Sequence, residues 1–390
     1  MKRRLAAIAS AAVLCLAGGA AQAETEIKIG FLNTFTGPGA AVGTDMKNSW
    51  DIALEHLGGK LGGLKPTVLV GDDLTKPEVA LTVVDKWLKQ DKVDFVVGVI
   101  WSNVLLAIKD PIFQAGKILI NPNAGATPIA AEQCHPQHFS TSSSNEQWSE
   151  ATGEMANLDG IKNVFILVPN YQAGKDIVSG FKRTFKGEVL GEIYFKMNNS
   201  DYQAELSEAR AKKPQALLVF APGGMGVAFF KQWQTSGLKN EIKLYTVSTV
   251  DFVSLGAMGE AAVGTYWPTP FNHQTTGAVG AKFVKDYISK HKRPPSQYGA
   301  QAYDAALLID YAVKAVKGDL SKMKEMILAM RTPKFEWTRG TVTFNVNQLP
   351  IQNWYKQTAV IKDGKPDIQT NGVVYEMRKD SFYTRCKMPY

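Results

Sequence analysis

The chain has 390 residues, 45% of them apolar and 21% charged, with 44 Lys and Arg against 36 Asp and Glu. That balance excludes a disordered or collagen-like chain, and no internal run of about 20 apolar residues is present to span a bilayer. At roughly 100–200 residues per domain, the length predicts two domains.

The first segment reads as an address rather than as part of the fold. Lys2, Arg3 and Arg4 precede an apolar stretch from Leu5 to Ala17, and Ala21-Gln22-Ala23 forms a small-x-small site ahead of Glu24. This predicts a cleaved secretory signal peptide over residues 1–23 and an exported protein; an amphipathic N-terminal helix is the alternative. Leu14 stands before Cys15 where a lipoprotein signal needs a small residue. The leader carries three cations and no acids, so 44 cations become 41 against 36 acids and net +8 becomes +5. The charge is mild and dispersed, and no nucleic-acid partner is expected. Two cysteines remain, Cys134 and Cys386. An even count in an exported protein predicts one disulfide between them, with two buried free thiols as the alternative.

Strand-like and helix-like segments then alternate. Ile27 to Phe31 is a strand, followed by a helix with Met46, Trp50 and Ala53/Leu54 on one face. Strands at Thr67 to Val70, Asp94 to Val97 and Ile118 to Asn121 alternate with helices at Glu78 to Gln90 and Ser102 to Phe113. Apolar strands of this kind suit a parallel sheet covered on both faces. From Phe139 to Trp148 the pattern breaks at Ser140-Thr141-Ser142-Ser143-Ser144-Asn145, which reads as a polar, flexible stretch. A second ladder follows, with strands at Val164 to Val168, Val189 to Phe195, Ala216 to Phe220, Ile242 to Val247 and Ala262 to Trp267. Its helices run from Ala173 to Phe185, Tyr202 to Ala211 and Met225 to Thr235. Residues 279–331 hold three helices and no strand, so they need a sheet to cover, and the first ladder is the expected host. Late strands at Thr341 to Asn345 and Trp354 to Ile361 precede a hairpin turn at Asp363-Gly364. The chain is expected to cross between two α/β lobes near 140–145, 268–273 and 346–352.

The common catalytic constellations are missing. The sequence has no HExxH, G-x-S-x-G, GxxxxGK[ST], GxGxxG or CxxC. Cys134-His135-Pro136-Gln137-His138 has irregular metal-ligand spacing, and a disulfide would consume its sulfur. Gly223-Gly224-Met225-Gly226 stands at a strand-to-helix turn, where glycines are commonly structural. No metal, cofactor or enzymatic activity is expected; a secreted enzyme with an unrecognised site is the competing class. Binding remains. In open α/β sheets ligands sit beyond the carboxyl ends of the strands, where helix N-termini suit an anion. Thr36-Gly37-Pro38-Gly39, Trp101-Ser102-Asn103 and Asn123-Ala124-Gly125-Ala126-Thr127 all fall there, each also explicable as ordinary capping or turn chemistry.

Several motifs, in order, resemble a known family. They are Gly30-Phe31 through Phe35-Thr36-Gly37-Pro38, Gly58-Gly59-Lys60-Leu61-Gly62-Gly63, Asp72-Asp73 with Pro77, and Asp91 to Gly98. Pro169-Asn170-Tyr171-Gln172-Ala173-Gly174-Lys175-Asp176 and Tyr303-Asp304-Ala305-Ala306 follow. Over the whole mature length the chain resembles the branched-chain-amino-acid type of periplasmic solute-binding protein, the type I binding fold of ABC importers. Phe220 to Gly226 and Trp101 to Leu106 make it most similar to the branch assigned to aromatic carboxylates such as benzoates.

The resemblance implies a monomer of two lobes, each a parallel sheet flanked by helices, joined by three crossovers. The lobes are expected at 24–142 with 272–347, and at 143–271 with 348–390. It implies hinge closure on a small carboxylate and delivery to ABC permease subunits in the inner membrane. By the same likeness the ligand carboxylate meets Ser102 and the Ala124–Ala126 loop, with Thr127 as a further candidate; either Ala124 or Ala126 makes the contact. Trp101, Asn103, Asn123 and Gly125 belong to the same segments. The second lobe adds Tyr171 and residues from Thr249 to Asp251. Asp251 is either the acid for an amino-acid ammonium or a helix N-cap ahead of Phe252. Trp101, Tyr171, Tyr266 and Trp267 are candidate stacking walls. Without a second-lobe acid an aromatic acid fits better than a branched-chain or other hydrophobic amino acid; a ligand-sensing ectodomain of the same fold is a further alternative.

Overall fold

The structure is a computed structural model that describes residues 26–274 and 277–388. The expected leader, its Cys15 and the expected first mature residue Glu24 lie outside the described residues.

The first sheet is built from β1 (Glu26–Asn33), β2 (Lys65–Asp72), β3 (Phe95–Val97), β4 (Ile118–Asn121) and β5 (His138–Ser140). Its strand order is β2-β1-β3-β4-β5, all parallel. Connecting helices are α1 (Ala40–His56), α2 (Pro77–Lys86), α3 (Ser102–Gln114) and the short α4 (Thr127–Ala130). α1 buries Met46, Trp50 and Ala53, the face expected from its periodicity. Trp50 packs at 5.5 Å from the Phe31 ring, which fastens the helix to the strand before it.

α5 (Asn145–Leu158) opens the second ladder, followed by β6 (Asn163–Pro169), α6 (Gln172–Thr184), β7 (Glu188–Phe195), α7 (Gln203–Lys212), β8 (Ala216–Phe220) and α8 (Gly224–Ser236). β9 (Lys243–Val247), α9 (Leu255–Met258) and β10 (Tyr266–Thr269) complete its parallel part, in the order β7-β6-β8-β9-β10. Next come α10 (Ala278–His291), α11 (Gln297–Ala315) and α12 (Met323–Arg331). α10 and α11 pack against α1 and α12 packs against α11, so these helices cover the first sheet, as the lack of strands between 279 and 331 required. The end of the chain returns to the second sheet as β11 (Thr343–Phe344), β12 (Pro350–Lys362) and β13 (Lys365–Arg378), with β12 antiparallel to β10, β11 and β13. β11 straddles the two halves: it pairs with β12, while Phe344 packs on Phe139 and Trp337.

The serine-rich stretch at 140–145 differs from expectation. Ser140 to Ser144 are all at most 2% exposed, so the stretch is a buried strut rather than a flexible link. The hydroxyls of Ser140, Thr141, Ser143 and Ser144 supply hydrogen bonds along the crossing segment. Thr141 Oγ1 donates to the Gln301 carbonyl at 2.8 Å, Ser143 Oγ accepts from Gln352 Nε2 at 2.7 Å, and Ser144 caps α5 in a box closed by Gln147. Gln352 also takes a hydrogen bond from Arg339, whose guanidinium pairs with Asp304 on α11 at 3.0 Å. A buried polar network thus joins the first and third crossings.

Cys134 and Cys386 form a disulfide across 252 residues of sequence, tying the tail to the loop before β5. The neighbouring histidines make other contacts. His135 stacks on Phe113 at 4.1 Å, and burial pushes His138 down to about 3, which leaves it neutral.

Candidate functional site

Both parallel sheets reverse strand order beside their first strand, between β1 and β3 and between β6 and β8. Such switch points leave a crevice beyond the carboxyl ends of the strands. The two crevices face each other across one shared cavity. The first lobe contributes Gly39 and Val42 after β1, Ile100, Trp101 and Ser102 after β3, Asn123 after β4, and Tyr298 near the start of α11. The other half contributes Asn145 and Trp148 of α5, Tyr171 and Ile177, Phe220, Pro222 and Gly223, and Val247 and Ser248.

Three contacts close the lobes over this space. Tyr298 Oη donates to the Ser248 carbonyl at 2.9 Å. The Trp101 and Tyr171 rings meet edge to face at 6.2 Å. Gly223, with φ 63° and ψ −133°, lies so near Pro38 that a Cβ there would overlap the Pro38 carbonyl oxygen. The glycine-rich turn is therefore a close-approach point between lobes.

The cavity wall is rich in aromatic side chains and, among the described residues, contains no Lys, Arg, His, Asp or Glu. Tyr171 stacks on Phe220 with 20° between the rings, and Trp101 is held by its Nε1, which donates to Thr34 Oγ1 at 2.7 Å. Burial pushes the phenols of Tyr171 and Tyr298 far up, so both stay protonated. Donors concentrate at the start of α3. Ser102 is its first residue, no side chain caps the helix, and the Ser102 side chain is 2% exposed. The first N–H groups of a 13-residue helix thus face the cavity with a positive dipole end. Asn145 Nδ2 donates to Ser102 Oγ at 3.0 Å, which leaves the serine proton for another acceptor. Asn123 is fixed from behind by its Nδ2 bond to the Ile100 carbonyl at 2.8 Å.

Of the residues singled out in the sequence, Gly39, Trp101, Ser102, Asn123 and Tyr171 line the cavity. The others are placed elsewhere. Ala124, Gly125 and Ala126 surround a smaller buried space beside His138 and Leu349. Their loop meets the crossing segment instead: Asn145 N–H donates to the Gly125 carbonyl at 2.7 Å, and a Cβ on Gly125 would run into Ser143 and Asn145. Asn145 therefore occupies the wall where that loop was expected. Thr127 N–H donates to Asp176 Oδ2 at 3.2 Å and its hydroxyl to Glu146. Asn103 follows Ser102 on α3 and does not line the cavity.

Thr249 is structural: its Oγ1 accepts from the Ala221 N–H at 2.9 Å and donates to the Val247 carbonyl. Asp251 closes a turn rather than capping a helix at Phe252: its Oδ1 accepts from the N–H groups of Val253 and Ser254 at 2.7 and 3.0 Å, and the helix that follows starts only at Leu255, with Ser254 as its N-cap. It lines a separate pocket with Trp267, so neither it nor that indole reaches the cavity. Tyr266 packs on Tyr245. Sequence reasoning missed Asn145, Trp148, Phe220, Ser248 and Tyr298 as wall residues. Phe220 ends a strand at a sheet edge, a signal that was legible; the rest arrive through the crossing segment or from the facing lobe.

Comparison with known proteins agrees with this geometry. The family model described as periplasmic binding protein matches residues 26–365. The chain belongs to that family. This binding protein is 26% identical over 383 residues to a Leu/Ile/Val-binding protein homolog of Brucella melitensis, covering 93% of the chain and 96% of the relative. A solute-binding protein of an ABC transporter from R. palustris, solved in complex with benzoate, superposes with a TM-score of 0.88 at 31% identity, covering 93% of this chain and 99% of that one. Another from Rhodopseudomonas palustris BisB5, in complex with 3,4-dihydroxy benzoic acid, gives 0.85 at 28% identity, covering 91% and 99%. The two-lobed architecture, with helices flanking parallel sheets, is shared with both of these solved proteins.

Proposed function

We propose that this protein is the periplasmic solute-binding component of an ABC importer and captures a small aromatic carboxylate, such as a benzoate, in the interlobe cavity. One observation carries the ligand class: an aromatic-walled interlobe cavity with hydroxyl and helix-start N–H donors and, among the described residues, no charged side chain in its wall. A carboxylate is met by the donors at Ser102, and an aromatic ring by Trp101, Tyr171 and Phe220. An amino-acid ammonium would be buried without a counter-charge, which is costly. The R. palustris neighbours with bound benzoates support the same reading. The lobes divide as 24–142 with 272–347 and 143–271 with 348–390, the protein acts as a monomer, and it hands its cargo to inner-membrane permease subunits without transforming it.

Calorimetric titration with benzoate, 4-hydroxybenzoate and leucine tests the ligand class. A benzoate is expected to bind at least about tenfold more tightly than leucine, a difference of about 1.4 kcal/mol. Tighter binding of leucine would transfer the protein to the amino-acid branch.

Asp251 offers a second test, because its role in closing a turn separates stability from binding. An aspartate in an unfolded chain ionises near pH 3.9, and burial pushes Asp251 up to about 6. The folded protein thus holds this proton more tightly, and the group's contribution to stability is lost as pH rises through that window. Asp251→Asn keeps an acceptor for the two N–H groups and cannot ionise. Relative to wild type, its stability is expected to rise as pH passes from 4 to about 8, with benzoate affinity unchanged. Denaturant unfolding at both ends of the window, with calorimetry beside it, measures this. Lost benzoate binding would place Asp251 at the ligand.

A further inference from the structure

Behind Ser102 lies a carboxylate that touches both lobes. Asp176 stands in the second turn of α6, in the second lobe, and is 4% exposed. Its Oδ2 accepts from Asn145 Nδ2 at 2.9 Å and from the backbone N–H of Thr127, at the start of α4 in the first lobe, at 3.2 Å. Its Oδ1 accepts from Gln172 Nε2 at 2.8 Å. Asp176 itself does not line the cavity.

These bonds fix directions. A carboxylate facing N–H donors accepts only, so the Asn145 group that meets it must be the amide nitrogen. The same nitrogen reaches Ser102 Oγ at 3.0 Å and must donate there as well. Ser102 Oγ is thereby an acceptor on its Asn145 side, and its own proton is left for whatever fills the cavity. Without the carboxylate, the Asn145 amide could turn over and present its oxygen to Ser102, whose hydroxyl would then point away from the ligand. The bond from Thr127 ties this arrangement to the position of the first lobe.

We propose that Asp176 is a positioning residue that, through Asn145, holds the Ser102 hydroxyl as a donor toward the ligand and so makes the closed cleft select an anion over its neutral isostere. The inference rests on the aromatic-carboxylate reading of the cavity. It adds a selection rule that the cavity wall alone does not supply, because Ser102 by itself donates or accepts equally well.

Benzoate and benzamide differ in the way this rule requires: both benzoate oxygens accept, whereas the benzamide nitrogen donates. Affinities for both are measured by calorimetry in wild type and in Asp176→Asn. An amide at 176 offers one acceptor where the carboxylate offers two, so one of the surrounding N–H donors then faces another N–H. Benzoate is expected to bind roughly tenfold or more weakly in the variant, the scale of a hydrogen bond to a charged group. Benzamide is expected to hold or gain affinity, so the preference for the anion collapses. In a Ser102→Ala background the Asp176→Asn substitution should leave benzoate affinity almost unchanged, because the two act through one hydroxyl. Equal loss of both ligands, or additive losses in the double variant, would make Asp176 a packing residue and overturn the inference. Tighter benzoate binding in Asp176→Asn would show that repulsion between the two carboxylates dominates, with the same consequence. Should Asp176→Asn fail to fold, Asn145→Ala breaks the same chain at its middle joint and is held to the same ratio. Wild type that binds neither compound overturns the reading of the cavity and this inference together; wild type that prefers benzoate, with an unchanged preference in both variants, overturns this inference alone.

Discussion

Replacing Ser102 by alanine is expected to weaken aromatic-acid binding by roughly 10- to 150-fold, with the fold intact. The hydroxyl is buried at the first residue of α3 and takes a hydrogen bond from Asn145. Its proton is therefore available to a carboxylate in the cavity, and the helix-start N–H groups stand beside it. A hydrogen bond to a charged group contributes about 1.5–3 kcal/mol, and each 1.4 kcal/mol or so is a factor of ten in affinity. Two losses combine in the variant: the ligand forfeits a donor, and the Asn145 N–H is left facing a methyl group. Ser102→Thr, which keeps the hydroxyl, serves as the control for shape. Calorimetry that finds wild-type affinity in Ser102→Ala would remove the carboxylate from this end of the cavity.

Much of this site is legible in sequence because a parallel α/β sheet concentrates binding groups at one edge. The residues after β1, β3, β4 and β6 could be placed there from strand boundaries alone, and Trp101, Ser102, Asn123 and Tyr171 line the cavity. Asp251 was legible as a choice between helix cap and ligand acid; its bonds to Val253 and Ser254 instead close a turn ahead of a helix that starts at Leu255. What escaped is what arrives from elsewhere in the fold. Asn145 lies in a run of polar residues that looks solvated, yet Ser140 to Ser144 are buried. Small hydroxyl side chains pair with backbone and with one another at little volume, so a crossing strut has the composition of a loop. One local signal existed: Ser144 with Gln147 three residues on is a capping box, and it marks the start of α5 correctly. α5 itself buries Glu146 and Glu150, which pair with Arg183 on α6, so a search for apolar periodicity passes over it.

The aromatic walls show the same division. Tyr266 and Trp267 stand just before Pro268 and Pro270 near a crossing and look like cleft residues, but Tyr266 packs on Tyr245 and Trp267 lines the separate pocket beside Asp251. Tyr298 comes from α11, which the sequence assigns to covering the first sheet. Its phenol nevertheless reaches the Ser248 carbonyl in the other half. A helix can serve as cover and as wall because its first turn projects past the sheet edge, a placement set by packing against α1 rather than by local pattern.

Gly223→Ala is expected to cost the protein on two separable counts. The first is local. At φ 63° and ψ −133° the backbone is in a region open to glycine and strained for other residues, so unliganded stability should fall by about 1–3 kcal/mol. The second depends on closure. The added Cβ meets the Pro38 carbonyl of the opposite lobe, a contact across the cleft that opening about a hinge would release. Overpacking a rigid contact costs about 1–3 kcal/mol, which appears as roughly 5- to 150-fold weaker ligand binding. The backbone oxygen cannot rotate aside as a side chain would, so relief comes from incomplete closure. Small-angle scattering should then show less compaction of Gly223→Ala than of wild type at saturating ligand, while denaturation without ligand isolates the backbone strain. If the variant loses stability but keeps full affinity and full compaction, the Gly223–Pro38 approach plays no part in holding the cleft shut. If it loses affinity with its unliganded stability intact, the turn relaxes freely in the open protein and the strain is confined to the closed form.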